Sequence, residues 1–289
     1  MSTALLEPGW TSAVRPVNGL SLHVVEAGPV GGPLLILPHG FPEFWWGWRH
    51  QITPLAERGF RVIVPDLRGY NQSDAPQEVS AYRLDTLTAD VVGLADDYGA
   101  RRFRLVGHDW GGIVAREVAT RHPERTERLV VMNAPHPDSW ARQALAHPTQ
   151  AFRSRYVALF QLPRLPEAAL GAFGHAGLRA MVARTARPDA FRPGELGRYA
   201  EAWARPGSLT AMLNYYRALR QRKAGEPRRT PVRTLVLWGE QDRFLERHQA
   251  EAALARCDDA RLVGFGNATH WLHLEEPGRV NRELVGFLT

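Results

Sequence analysis

Three short stretches of this 289-residue chain carry side chains suited to covalent chemistry. In Gly107-His108-Asp109-Trp110-Gly111-Gly112 an aspartate stands among glycines where an apolar run gives way to helical spacing. That is the setting of a nucleophile elbow, with Asp where an esterase would carry Ser. The chain must double back sharply to expose the side chain, and glycines remove the Cβ clashes such a turn creates. A plain glycine-rich strand-to-helix connection would look the same locally, because short motifs match by chance. Two further placements add the specificity. Trp238-Gly239-Glu240-Gln241-Asp242 closes another apolar run, and Gly266-Asn267-Ala268-Thr269-His270 precedes the last helical segment. The order nucleophile, acid, histidine goes with an elbow of this type, making Asp109 the nucleophile, Asp242 the residue that holds the imidazole and His270 the base.

A carboxylate can attack a saturated carbon directly and become an ester, whereas a serine is suited to a carbonyl. Pro38-His39-Gly40-Phe41-Pro42 follows an apolar run where an oxyanion loop is expected. The donors there are backbone N–H groups, from Phe41 and from Trp110 after the nucleophile. His270 and His273 at helical spacing invite a metal, but no third His or Cys is positioned to join them, so neither metal nor organic cofactor is expected.

Those residues need a scaffold, and the apolar runs describe one. Leu34–Leu37, Val62–Val64, Phe103–Val106, Leu129–Met132 and Val232–Trp238 are too short for helices and rich in Val, Ile and Leu, as buried parallel strands are. Between them, Leu84, Leu87, Val91 and Leu94, then Ile113, Val114 and Val118, follow helical spacing. This predicts an α/β fold, a mostly parallel central sheet flanked by helices. Leu20–Glu26 alternates like a half-buried antiparallel edge strand. From Pro137 onward the rhythm changes to Ala, Leu, Arg and Pro without strand-like runs, so residues 1–136 and 229–289 are expected to form the core and 137–228 a helical insertion.

Composition excludes several classes. The content is 44% hydrophobic, enough for a substantial core, and the single cysteine, Cys257, cannot form an intramolecular disulfide, so a reducing cytoplasm is the default. Met1 to Trp10 lacks a basic start and an apolar segment, and no run approaches the ~20 apolar residues of a membrane span, so neither targeting nor a membrane partner is expected. The net charge of +6 comes from arginines scattered among acids, with Lys223 the only lysine. That is no basic stripe for nucleic acid, and the densest cluster, Arg217 to Arg229, reads as a solvated connection. No patch singles out an oligomer interface.

With these residues in view, the chain resembles the epoxide hydrolase family of the α/β-hydrolases, relatives of the haloalkane dehalogenases. His39-Gly40-Phe41-Pro42-Glu43 with Trp45, Trp48, Arg49 and Gln51 is similar to the family's oxyanion-loop signature, and Gly107 to Gly112 to its nucleophile signature. Asp66-Leu67-Arg68-Gly69-Tyr70 with Ser73-Asp74 is similar to another family loop, Asn71 replacing a glycine. The resemblance identifies the insertion as a cap. It also implies that Tyr156, before Phe160-Gln161-Leu162-Pro163, and Tyr216 are the ring-opening tyrosines, with Tyr215 where relatives often have Trp, so either neighbouring phenol could face the substrate.

The reaction implied by the resemblance is hydrolysis of an apolar epoxide to a vicinal diol, with water as co-substrate and His39, Trp110, Tyr156, Phe160, Tyr215 and Tyr216 as candidate substrate contacts. The same nucleophile serves haloalkane or haloacid dehalogenation, but a halide needs donors and no proton, and Phe41 offers no side-chain donor where dehalogenases carry Asn or Trp. Arg beside the nucleophile, a feature of fluoroacetate-type dehalogenases, is Trp110 here. A non-catalytic binding protein of this fold would be expected to have lost part of the Asp109, Asp242, His270 set.

Overall fold

The structure is a computed structural model and describes residues 5–222 and 228–289. Eight strands form one sheet: β1 (Trp10–Val17), β2 (Leu20–Ala27), β3 (Leu34–Ile36), β4 (Arg61–Pro65), β5 (Phe103–His108), β6 (Thr126–Met132), β7 (Thr234–Gly239) and β8 (Ala260–Phe265). Across the sheet they run β1-β2-β4-β3-β5-β6-β7-β8, with β2 antiparallel to both β1 and β4 and every other pairing parallel. Helices α1 (Ile52–Ala56), α2 (Leu84–Asp97), α3 (Asp109–Arg121), α10 (Arg247–Leu254), α11 (Leu272–Glu275) and α12 (Pro277–Leu288) flank it. Helices α4 (Trp140–Ala146), α5 (Pro148–Arg153), α6 (Arg155–Leu159), α7 (Leu165–Thr185), α8 (Glu195–Trp203) and α9 (Ser208–Arg217) intervene between β6 and β7.

The five apolar runs are strands because helices cover the sheet and its middle must be apolar on both sides; β3 and β7 are buried along their whole length. Two expectations need correction. Leu20–Glu26 is antiparallel but not an edge, because β1 pairs along it and takes that place. The strand expected from Val232 begins at Thr234. Strands β1 and β8 were not anticipated: each lies at an edge, and β1 buries only Trp10 and Val17, leaving little apolar pattern to read.

Between β6 and β7 the described residues form helices and no strand. It lies across the loops at the C-terminal ends of the strands, where a parallel sheet offers its binding crevice. Trp203 Nε1 donates to the Pro42 carbonyl at 2.5 Å, the Tyr215 hydroxyl to that of Arg68 at 2.8 Å, and Arg153 Nη1 to that of Asp242 at 2.7 Å. The cluster Arg217 to Arg229 is more than a solvated connection. Arg217 pairs with Glu167, Arg222 with Asp138, Arg228 with Glu117 and Arg229 with Asp258, while Lys223 lies outside the described residues.

Candidate active site

Asp109 is the first residue of α3 and has φ +47°, a left-handed conformation that a non-glycine side chain tolerates only under constraint. Glycines supply that constraint. A Cβ on Gly111 would stand 2.1 Å from the Pro38 carbonyl oxygen, and one on Gly107 2.4 Å from that of Gly111, so the turn closes tightly enough to present Asp109 at the head of α3. Asn71 likewise adopts φ +43°, and its side chain donates to Asp66 at 2.8 Å.

The three sequence-predicted residues converge although they lie far apart in the chain. His270 Nδ1 is 2.7 Å from Asp242 Oδ2, and its Nε2 is 3.7 Å from Asp109 Oδ2. Asp242 is fully enclosed by donors: Phe244 N (2.7 Å) and Leu245 N (3.0 Å) reach Oδ1, and Asn133 Nδ2 reaches Oδ2 at 2.6 Å. Burial alone would raise the Asp242 pKa, but the His270 charge and these hydrogen bonds hold it below the usual value. Burial alone would lower the His270 pKa, whereas Asp242 first, then Asp109 and Glu43, raise it to about 9. On the opposite side the Phe41 N–H donates to Asp109 Oδ1 at 2.9 Å.

A cavity of about 550 Å³ opens above Asp109, lined by Trp110, Ile113, Tyr156, Tyr215 and Tyr216 among others. Tyr216 packs edge-on against Phe41, Trp110 and Tyr156, with ring centroids 5.2 to 5.9 Å away. Burial, then the neighbouring phenol and the Asp109 charge, push the Tyr216 pKa well above the ordinary value, and burial and Asp109 do the same for Tyr156. Both hydroxyls therefore keep their protons. Tyr215 differs, because its hydroxyl is committed to the Arg68 carbonyl and only its ring reaches the cavity wall.

One expected substrate contact is corrected. His39 is fully buried; its Nε2 accepts from Leu67 N at 3.1 Å and its Nδ1 donates to the Gly40 carbonyl at 2.9 Å, so it braces the loop from behind. Phe160 packs against Phe41, Tyr156 and Tyr216.

Residues given no role from sequence hold the site together. Asn133, at the end of β6, donates to Asp242 and accepts from Gly239 N at 2.8 Å. A polar residue closing an apolar strand was the available signal. Beneath the elbow, Glu43 bridges His108 Nδ1 (2.7 Å) and His273 Nε2 (3.0 Å), and His108 Nε2 faces the His270 carbonyl at 2.9 Å. The His273 ring thus pairs with Glu43, whereas that of His270 pairs with Asp242. The atoms of Glu43, His108 and His273 lie within 4.8 Å of one another, as metal ligands would. These atoms are already paired within the protein: His108 Nδ1 and His273 Nε2 contact the Glu43 carboxylate, and His108 Nε2 contacts the His270 carbonyl.

Burial raises the Glu43 pKa, but His273 and His108 more than offset it and hold the carboxyl well below the usual range. Glu43→Gln keeps the side-chain shape but removes the charged acceptor that two buried rings share, so a stability loss of about 1–3 kcal/mol is expected in urea unfolding. A loss below about 1 kcal/mol would mean that the charge is dispensable.

An elbow after β5, an acid after β7 and a histidine after β8, on a mostly parallel eight-stranded sheet, define an α/β hydrolase. Residues 33–277 match the model of the alpha/beta hydrolase fold family. The chain is 43% identical to the AB hydrolase superfamily protein YfhM of Bacillus subtilis, over 94% of this chain and 95% of that one. It is 37% identical to mouse Epoxide hydrolase 4, over 94% and 77% respectively. Among solved structures, an epoxide hydrolase from hot-environment metagenomes superposes with a TM-score of 0.87 at 35% identity, covering 98% of this chain and 99% of that one. The chain belongs to the epoxide hydrolase family of the α/β-hydrolase superfamily. No helix among the described residues is long and apolar enough to cross a membrane.

Proposed function

We propose that this protein converts apolar epoxides to vicinal diols through an ester on Asp109, beneath a cap formed by residues 137–228. The observation that carries the reading is the pair of protonated phenols, Tyr156 and Tyr216, lining the same cavity as the Asp109 carboxylate. Asp109 Oδ1 is held by the Phe41 N–H, leaving Oδ2 as the attacking oxygen. Oδ2 bonds to a ring carbon as the carbon–oxygen bond of the epoxide breaks, and the oxygen takes a proton from a tyrosine. His270 Nε2 then removes a proton from water, whose oxygen adds to the Asp109 carboxyl carbon. The Phe41 and Trp110 amides stabilise the oxyanion; its collapse breaks the bond to the alkyl oxygen, which leaves with the second proton of the water as the diol, while Asp109 is restored and the proton on His270 returns to the tyrosinate. These residues require no cofactor for either half.

Incubating the wild type with terminal and internal epoxides and with haloalkanes tests the reading by product mass. Diol formation from epoxides, without halide release, is expected. Halide release alone would replace the reading with dehalogenation, in which Trp110 donates to the leaving ion.

The pH dependence follows from the same geometry. Asp109 contributes to holding the proton on His270, whose pKa is about 9, and esterification removes that charge. The imidazole pKa in the ester therefore lies below 9, and the base works only when deprotonated. Ester breakdown, followed by stopped-flow tryptophan fluorescence in single turnovers, is expected to quicken as pH rises and level off above that lowered pKa. A breakdown rate flat from about pH 5 to about pH 9 would remove His270 from the role of base.

A further inference from the structure

The loop that carries Asp242 is held from two sides. On the inner side Asp242 Oδ1 accepts from the Phe244 and Leu245 amides, so the loop orients the carboxylate whose Oδ2 faces His270 Nδ1 at 2.7 Å. On the outer side the same loop is gripped by α5, a helix of the passage between β6 and β7. Gln150 Nε2 donates to the Phe244 carbonyl at 2.8 Å, Gln150 Oε1 accepts the Glu246 N–H at 2.8 Å, and Arg153 Nη1 donates to the Asp242 carbonyl at 2.7 Å. The Glu246 carboxylate is further bonded by Thr149 Oγ1 at 3.0 Å and paired with Arg153 Nε at 3.3 Å.

Gln150 is fully buried, and burying a carboxamide costs free energy unless its donors and acceptor are paired. Here they are, since Nε2 also reaches Ser154 Oγ at 2.9 Å. The side chain takes one carbonyl and one N–H from the Asp242 loop, as a neighbouring strand would. Phe244, whose carbonyl it holds, packs edge-on against His270 (ring centroids 5.1 Å) and Tyr156 (5.9 Å). One gripped residue thus touches the imidazole and a phenol, and its amide is one of the two that orient Asp242.

We propose that Gln150 and Arg153 are positioning residues for ester hydrolysis: by gripping the backbone from Asp242 to Glu246 they fix the angle at which Asp242 meets His270. The role rests on the ester mechanism proposed above. Without the grip the two orienting amides shift, Asp242 Oδ2 turns from Nδ1, and the imidazole no longer holds Nε2 toward water at Asp109. Asn133, on the loop side of β6, steadies Oδ2 but not the loop, so the loss is partial.

Two variants of the whole protein test it. Gln150→Met keeps the length of the side chain and removes its hydrogen bonds; Arg153→Met, at a half-buried position, keeps the apolar stem without the donors. Proton NMR reads the pair directly, because a proton held between an imidazole nitrogen and a carboxylate resonates far downfield and moves upfield as the bond lengthens. Its loss in His270→Gln assigns it. The resonance is expected to move upfield in both variants, recorded well below their melting temperatures. In single turnovers ester breakdown should slow by about 10-fold or more, and ring opening, which uses Asp109 and the phenols, should slow less. An unmoved resonance overturns the proposal, since a merely structural clamp would lower the melting temperature and leave the pair as it is. So does a moved resonance with breakdown at the wild-type rate. If Gln150→Met does not fold, Arg153→Met decides. A wild type that makes no diol overturns the proposed reaction instead, and the resonance then decides by itself whether α5 sets the Asp242–His270 pair.

Discussion

His270→Gln is expected to accumulate a covalent ester on Asp109 when given an epoxide, because the substitution removes the proton acceptor that only the second half of the proposed reaction uses. Ring opening needs the Asp109 carboxylate and a phenolic proton, and neither comes from the imidazole. Hydrolysis of the ester needs a base for water, and His270 Nε2, 3.7 Å from Asp109 Oδ2, is the group so placed. Glutamine is similar in bulk and can still hydrogen-bond Asp242, but it cannot take the proton. Losing a positioned base slows its step by about 10² to 10⁴-fold, enough for the ester to outlast a mass measurement. Intact-protein mass spectrometry with peptide mapping reads the result. A gain of one whole epoxide on Asp109 fits the mechanism; an alkyl gain without halogen from a haloalkane indicates dehalogenation. No adduct, with a wild type that turns nothing over, leaves a ligand-binding protein on this fold.

The arrangement of this candidate site was legible in the sequence to the extent that it is local. The elbow could be read because its glycines stand beside Asp109 in the sequence, and Asp242 and His270 could be read because each ends a strand or its loop. Side-chain direction was a different matter. His39 sits two residues before the Phe41 donor, yet its ring is fully buried and braces Leu67, and nothing in the order of residues separates the two faces of that loop. Tyr215 and Tyr216 are neighbours on one helix, and only the Arg68 carbonyl, 147 residues distant in sequence, claims one hydroxyl. Glu43, His108 and His273 meet across separations of 65 and 230 residues, so their bridge exists only in the folded chain. Edge strands were missed for a related reason: β1 and β8 face water along much of their length and so lack the apolar run by which the inner strands were found.

Removing both phenols, in Tyr156→Phe with Tyr216→Phe, is expected to stop the reaction one step earlier than His270→Gln does. The epoxide oxygen would otherwise leave as a strongly basic alkoxide, and the cavity lining places two proton donors, both with pKa values raised by burial and by the Asp109 charge, on the side it shares with the nucleophile. Raised pKa values keep the phenols protonated at neutral pH, which makes them donors rather than bases. Phenylalanine preserves the edge-on packing among Phe41, Trp110 and Phe160, so the fold should survive and the loss be chemical. Each single variant retains one donor and should lose less than the pair; the double variant should slow ring opening by about 10² to 10⁴-fold. Combining it with His270→Gln gives the sharper test, because the ester that the single histidine variant accumulates should then fail to form. An ester that still formed at the undiminished rate in the triple variant would show that the proton reaches the oxygen by another route.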